Sequence, residues 1–320
     1  MANIKDIAKM ANVSVTTVSR VLNNHPYVSQ EKRNAVLQAI EKSNYQKNYN
    51  AVHLSTGKTF LIGVVLPYSN HPYFGLLVEG IANEALTLNY NIVLIQTNYD
   101  KNRELEALDM LKHKQIDALI ICSRICDWDT LKHYSSYGSI TLCEDTRGRN
   151  LSSTFIDHYE SFFTALEFLA SKGHSKIGYC IGRTSGTNST QRESAYRDFL
   201  QKYNHPYEVH YIFNNCLFLE DGEQVIKEIK KMTDPPTAIL VTSDQVAAGM
   251  VTCCHKENIS IPNKLALIGF DNQPIAKLMA ITTMEIPLVQ MGRNLVIQAT
   301  NSKDTTYDQF KSRLIERETV

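Results

Sequence analysis

The chain has 320 residues, of which 43% are hydrophobic and 21% charged, and its 33 lysines and arginines equal its 33 aspartates and glutamates. These proportions exclude a disordered or fibrous polypeptide, and no apolar run approaches the roughly 18 residues that a membrane helix needs. The neutral total is an average of unlike parts: residues 1–60 hold eight bases and three acids, a net of +5, so the remainder carries −5. A basic segment on an otherwise mildly acidic chain points to contact with a phosphate backbone. The N-terminal run MANIKDIAKM lacks the apolar stretch of an export signal, so the expected compartment is the cytoplasm. Seven cysteines, an odd number with no CxxC pair, read as reduced core thiols.

In chain order, Ile4, Ile7, Ala8 and Ala11 share one face of a first short helix. Asn12 breaks it, Val13 packs the turn, and Ser14 is suited to cap a second helix over Val15–Leu22, with Val18, Val21 and Leu22 facing inward. Two short helices joined by a tight turn form a helix-turn-helix. A third helix is expected from Ser29 to Ser43, with Val36, Leu37 and Ile40 as its apolar face and Lys32 and Arg33 in a basic first turn. In such a unit the second helix enters the major groove. Val15 and Thr16 offer methyl contacts to thymine and Arg20 a bidentate contact to guanine. Ser14, Thr17, Ser19, Asn23 and Tyr27 suit phosphate oxygens, which position the unit without reading sequence. The alternative is a three-helix protein-interaction module with a solvated polar face.

From Phe60 onward, short β-rich apolar runs alternate with amphipathic helical stretches. Leu61–Leu66, Asn91–Gln96, Asp117–Cys122 and Ser139–Cys143 read as strands, with helices near 74–89, 102–113 and 127–136. A second series follows at Lys176–Ile181, Val209–Phe213, Thr237–Val241 and Leu265–Gly269, with helices near 159–172, 188–203, 221–231 and 244–257. Repeated βα units imply parallel sheets covered on both faces. Two such series predict two doubly wound lobes, with ligands bound at the carboxyl ends of the strands, in the cleft between them.

The residues Ile4-Lys5-Asp6-Ile7-Ala8, the run from Val13 to Asn23, Val28-Ser29 and Asn44-Tyr45 together resemble the headpiece of the LacI/GalR family of bacterial transcription regulators. Leu61 to Pro67, Gly173 to Gly178, Leu267 to Asn272 and Leu314 to Arg317 are similar to that family's regulatory domain, itself like periplasmic sugar-binding proteins. The resemblance implies a headpiece over 1–46, a hinge helix and linker over 47–59, and an effector-binding and dimerisation domain over 60–320. Its N-lobe would hold about 60–158 and 287–303, its C-lobe about 159–286 and 304–320, with crossings near 158, 286 and 304. In the hinge, Asn48 is expected at DNA and Leu54 falls where the family inserts an apolar wedge into the minor groove, bending the duplex. Lys47 stands where the family usually has proline. For the effector, Tyr73 and Phe74 after the first strand offer aromatic platforms that suit a sugar or equally a purine, and the resemblance singles out Glu144 ending the fourth strand and Arg192 as a fork onto hydroxyls. It adds Ser243 beside Asp244, Asp271 as a hydroxyl acceptor, and Leu217 or Phe218 at an often aromatic position. The implied function is a homodimeric, non-enzymatic repressor of a carbohydrate transport or catabolism operon. It would bind double-stranded operator DNA under the control of a sugar or sugar derivative, with no cofactor, metal or membrane.

An enzyme or a solute carrier could use the same α/β cleft. The chain has no GxxxxGK[ST], GxSxG or HExxH motif, and its ten histidines show no metal-ligand spacing. Gly178 to Gly182 lacks the third glycine of a dinucleotide fingerprint. A carrier would leave the basic N-terminal module without a purpose.

Overall fold

The computed structural model describes residues 2–45, 57–301 and 304–320. It divides the chain into two compact units, Met1–Lys58 and Thr59–Val320.

The described residues of the first unit form the helices α1 (Ile4–Met10), α2 (Val15–Leu22) and α3 (Gln30–Ser43). Asn3 caps α1 reciprocally: its Oδ1 accepts from Lys5 N at 2.8 Å, while Asp6 Oδ2 accepts from Asn3 N at 2.9 Å. Asn12 supplies the positive φ of 51° that turns the chain toward α2. Ser14 Oγ then accepts from Thr17 N at 3.1 Å, which starts that helix. The core is Ile7, Ala8, Val18, Val21, Val36 and Ala39. Leu37, expected on the inner face of α3, is instead 51% exposed. Its place is taken by Ala39 because the buried stripe follows positions 36, 39 and 40, and residue 37 lies about 100° round the helix from Val36.

The second unit carries two six-stranded sheets. The first runs in the order β11-β5-β4-β3-β1-β2, from β1 (Leu61–Leu66), β2 (Asn91–Gln96), β3 (Ala118–Ile121), β4 (Ser139–Leu142), β5 (Ser152–Ile156) and β11 (Tyr307–Phe310). The second runs β12-β10-β9-β8-β6-β7, from β6 (Ile177–Ile181), β7 (Ile212–Asn214), β8 (Ala238–Val241), β9 (Ala266–Asp271), β10 (Thr282–Glu285) and β12 (Arg313–Ile315). Every pairing is parallel except β10 with β12. In each sheet the order reverses at the strand that opens the series, β1 or β6, and this reversal leaves a crevice at the carboxyl ends of the strands.

The helices of the first lobe are α4 (Pro72–Thr87), α5 (Lys101–Lys112), α6 (Trp128–Tyr134) and α12 (Leu288–Thr300), which returns from the second lobe to pack on α4. The second lobe carries α7 (His158–Ser171), α8 (Thr187–Lys202), α9 (Leu219–Ile229), α10 (Asp244–Lys256) and the short α11 (Pro274–Leu278). Glycines allow α4 and α12 to touch backbone to backbone. A β-carbon on Gly80 would lie 2.0 Å from Val289 O, and one on Gly292 would lie 2.2 Å from Leu77 O.

Two sequence expectations are corrected. The chain crosses between lobes for the third time between Phe310 and Arg313, not near 304. Residues 307–310 continue the first sheet by pairing Tyr307 with Ser153 through Phe310 with Ile156. The Gln298 amide ties this edge down, donating to Ser153 O and Thr306 Oγ1 at 2.9 Å each. The strand expected over Val209–Phe213 begins as a 3-10 turn at Val209–Tyr211, and only Ile212–Asn214 pairs with β6.

Candidate functional site

In the first unit, α2 buries Val18 and Val21 and turns its other face to solvent. Ser14, Val15, Thr16, Arg20, Asn23 and Tyr27 are exposed, and Thr17 and Ser19 are partly so. Ser14 and Thr17 are also occupied locally, their hydroxyls 2.9 Å apart. The first turn of α2 has no acidic residue to cancel the positive end of its dipole, and Arg20 brings a cation in the last turn. Tyr27 is 84% exposed beside the His25 ring, a large apolar surface that a core role does not explain. Asn48, Leu54 and Lys47 lie outside the described residues.

In the second unit, residues that follow strand ends in both lobes converge on one cavity of about 110 Å³. From the first lobe come His71, Tyr73 and Phe74 beyond β1, Tyr99 beyond β2, and Cys122 and Ser123 beyond β3. From the second come Arg183, Asn188, Ser189 and Arg192 beyond β6, Leu217 beyond β7, Thr242 and Ser243 beyond β8, and Asp271 at the end of β9. His158, at the first crossing between lobes, completes the wall.

The structure thus gathers Tyr73, Phe74, Arg192, Ser243 and Asp271 around one space. Arg192 lies with its Cζ 5.5 Å from the centre of the Phe270 ring and its Nη2 3.3 Å from His158 Nδ1. Its Nε is buried without a hydrogen-bond partner, as is Ser243 Oγ. Burial and the neighbouring guanidinium hold His158 well below the ordinary histidine range, so its imidazole stays neutral. Asp271 has the strained backbone φ of 96° at the end of a buried strand. Its Oδ2 accepts from Gln273 Nε2 at 3.0 Å. Burial pushes this carboxyl up to about 7, against the opposing pull of the Gln273 amide and Arg192. Behind it, Asp244 accepts from Thr283 Oγ1 at 2.6 Å and Gln273 N at 2.7 Å, and burial with the adjacent Asp271 raises it to about 8.

Two expected residues do not line this cavity. Glu144 is held by the guanidinium of Arg124, with Oε1 at 2.6 Å from Nε and Oε2 at 3.3 Å from Nη2, and Thr187 Oγ1 donates to it across the cleft at 2.9 Å. Its acceptor capacity is thereby committed to protein, in a small adjacent niche. Phe218 packs edge-on against Tyr68 at 5.9 Å and near His71 at 6.1 Å, and Leu217 faces the cavity instead. Asp221 Oδ2 fixes this register by accepting from both Leu217 N and Phe218 N at 2.8 Å.

Sequence reasoning passed over His71, Tyr99, His158, Arg183, Asn188 and Thr242. Their one readable signal is position, a few residues past a strand end. Among the described residues no group of three or more His, Cys, Asp or Glu is arranged to hold a metal, and no helix is long and apolar enough to cross a membrane.

A helix-turn-helix unit followed by two doubly wound lobes that share a cavity at their strand ends is the build of a DNA-binding regulator with a small-molecule domain. Residues 3–48 match the family described as bacterial regulatory proteins, lacI family. Residues 59–309 match periplasmic binding proteins and sugar binding domain of LacI family. The chain belongs to the LacI family and is a DNA-binding transcription regulator, not an enzyme. It is 39% identical over 305 residues to the NTD biosynthesis operon regulator NtdR of Bacillus subtilis strain 168, covering 94% of this chain and 93% of that one. It is 37% identical over 294 residues to catabolite control protein B of the same organism, covering 91% and 92%. The fold is also that of the Lac repressor dimer bound to operator and the anti-inducer ONPF, with a TM-score of 0.84 at 21% identity over 99% of this chain and 98% of that one. A LacI family regulator from Lactobacillus casei with bound glucose superposes with a TM-score of 0.75 at 23% identity, covering 81% and 99%.

Proposed function

We propose that the protein is a cytoplasmic homodimeric repressor of a carbohydrate transport or catabolism operon, released from a pseudo-palindromic operator by a sugar or sugar derivative bound between the lobes. The observation that carries this reading is the cavity itself: a buried guanidinium nitrogen, a buried hydroxyl and a buried carboxyl face one space at the strand ends, two of them without a protein partner. Buried polar groups of this kind call for a ligand that hydrogen-bonds to them. The glucose held by the similar Lactobacillus casei regulator supports a sugar, and the operator-bound Lac repressor dimer supports two-fold pairing on DNA. One headpiece offers too few contacts for tight specific binding, which is the physical reason for a dimer. Val15, Thr16 and Arg20 would read bases, and Ser14, Thr17, Ser19, Asn23 and Tyr27 would hold phosphates. The ligand acts only through its different affinity for the two states, a coupling typically of about 1–3 kcal/mol.

Selection of bound duplexes from a random library, followed by titration of the selected site against salt, tests the DNA half. A two-fold symmetric site with a steep salt dependence is expected, and release of fewer than about two counterions would overturn it. A thermal-shift screen of sugars and sugar derivatives, followed by operator titration with each hit, tests the ligand half. A hit that leaves operator affinity unchanged would refute control through this cavity.

A further inference from the structure

We propose that the cavity takes an acidic monosaccharide, a single ring whose carboxylate or phosphate group sits between Arg183 and the first turn of α8. The inference rests on the sugar-effector reading above and names the class of sugar.

Two sources of positive potential converge on one wall. Arg183 has no carboxylate within ion-pair distance among the described residues, whereas the neighbouring Arg124 is matched by Glu144. Arg183 is packed against the start of α8, where a β-carbon on Gly186 would fall 2.2 Å from its Nη2. That helix is 16 residues long and begins with no side-chain cap and no acidic residue in its first turn. Glu144 reaches the hydroxyl of Thr187 in that first turn, but its charge is matched by Arg124, so Arg183 and the positive helix end still lack a counter-charge that an anion placed between them would supply. Arg183 is held in this position: its Cζ lies 4.5 Å from the centre of the Tyr99 ring and its Nη1 donates to Arg124 O at 3.3 Å.

Independent of that helix end, Ser243 Oγ is unpartnered at a residue only 3% exposed that lines the same cavity, and Arg192 Nε is likewise unpartnered. Arg192 has Asp271 as its acidic neighbour in the chamber, whereas Arg183 has none. The hydroxyl-binding groups and the anion-binding wall therefore sit in one space, as a ring with one acid group requires. At about 110 Å³ the cavity holds roughly seven to eleven water-sized spheres, which is the scale of one ring.

Isothermal titration and thermal shift on the full-length protein test this with inorganic phosphate alone, and with neutral, acidic and amino forms of glucose, galactose, mannose and fructose. Inorganic phosphate is expected to saturate one site, at least about tenfold more weakly in Arg183→Gln than in Arg183→Lys. At least one acid form, a uronate or a sugar phosphate, should bind about tenfold or more tightly than its neutral parent, and that gap should close in Arg183→Gln. The proposal is overturned if phosphate binding is equal in the two variants, if no acid form outbinds its parent, or if amino forms bind best. Sequence-selective DNA binding by the wild-type protein, measured in parallel, reads the regulator assignment separately. Its failure would sink that assignment, while loss of the acid preference alone sinks only this inference.

Discussion

Replacement of Asp271 by asparagine isolates the charge that the cavity imposes on its own floor. The side chain is 4% exposed, and its carboxyl is raised from the ordinary aspartate range to about 7, chiefly by burial. The groups that face it are Arg192, which opposes the shift, Gln273, which hydrogen-bonds to it, and Asp244 and Tyr73, whose own ionisation its charge disfavours. A carboxyl raised on folding contributes stability that is complete below the unfolded value near 4 and is lost as pH rises to about 7. In that window the unfolded chain has released a proton that the folded chain retains, so stability falls by up to about 1.4 kcal/mol per pH unit. Over roughly three units the upper bound is about 4 kcal/mol, an amount comparable to much of a domain's net stability. Asparagine cannot ionise and tolerates the φ of 96° at least as well as aspartate, so the exchange removes the titration without adding backbone strain. Urea unfolding of the ligand-free protein and of Asp271→Asn, compared between about pH 4.5 and 8.5, should show the variant gaining on the parent as pH rises and levelling above about 7. Groups that do not interact with Asp271 cancel in the difference, and Asp244, relieved of the Asp271 charge, moves it in the same direction, so a flat difference across this range would refute the claim that Asp271 is strained as an anion. In the same variant, ligand affinity should fall by about one to two orders of magnitude, since an amide nitrogen replaces one acceptor.

Other expectations test separate parts of the molecule. Arg20→Ala should weaken binding to a selected operator by about 1–3 kcal/mol and relax base preference at one position per half-site, read by competition across a site library. Glu144→Ala leaves the guanidinium of Arg124, only 13% exposed, without its carboxylate. It should cost about 3 kcal/mol in urea unfolding, and a change below about 1 kcal/mol would mean that the pair is compensated elsewhere. Gly292→Ala would ordinarily stabilise a helix by about 1 kcal/mol. Here the added methyl meets Leu77 O at 2.2 Å and should destabilise by about 1–3 kcal/mol, measured as a lower Tm.

Helix starts were legible because their caps are local chemistry. Asp100, Asp127 and Asp157 each accept from a backbone N–H two or three residues ahead, which sets the first turns of α5, α6 and α7 where the sequence places them. The same holds for Ser14 and Ser29 in the headpiece, and it is why the outward face of α2 could be named residue by residue. The edge strand β2 was read at its exact bounds, but the far side of the same sheet was not legible. β5 and β11 are short, and β11 pairs with a strand some 150 positions earlier in the chain, so no local period announces which sheet it joins.

The cavity shows the same division between local and distant causes. Asp271, Arg192 and Ser243 stand at strand ends or on the helix that follows, and their positions were readable. The fate of Glu144 was not, because it depends on Arg124, twenty residues earlier on the neighbouring strand's loop. At Leu217 and Phe218 the deciding signal was present in the sequence: Asp221, at the third position of α9, reaches back to both backbone N–H groups. That reach makes Phe218 the N-cap residue, and a β-carbon on Gly182 would lie 2.5 Å from Leu217 Cδ2. Leu217 therefore takes the cavity side because Gly182 leaves room for it, and Phe218 is left to pack across the lobes against Tyr68 and His71. The charge partition sharpens in the same way. A mildly acidic body does not imply an acidic ligand site: Glu144 beside the cavity is committed to Arg124, and the guanidinium left over at Arg183 gives the chamber its sign.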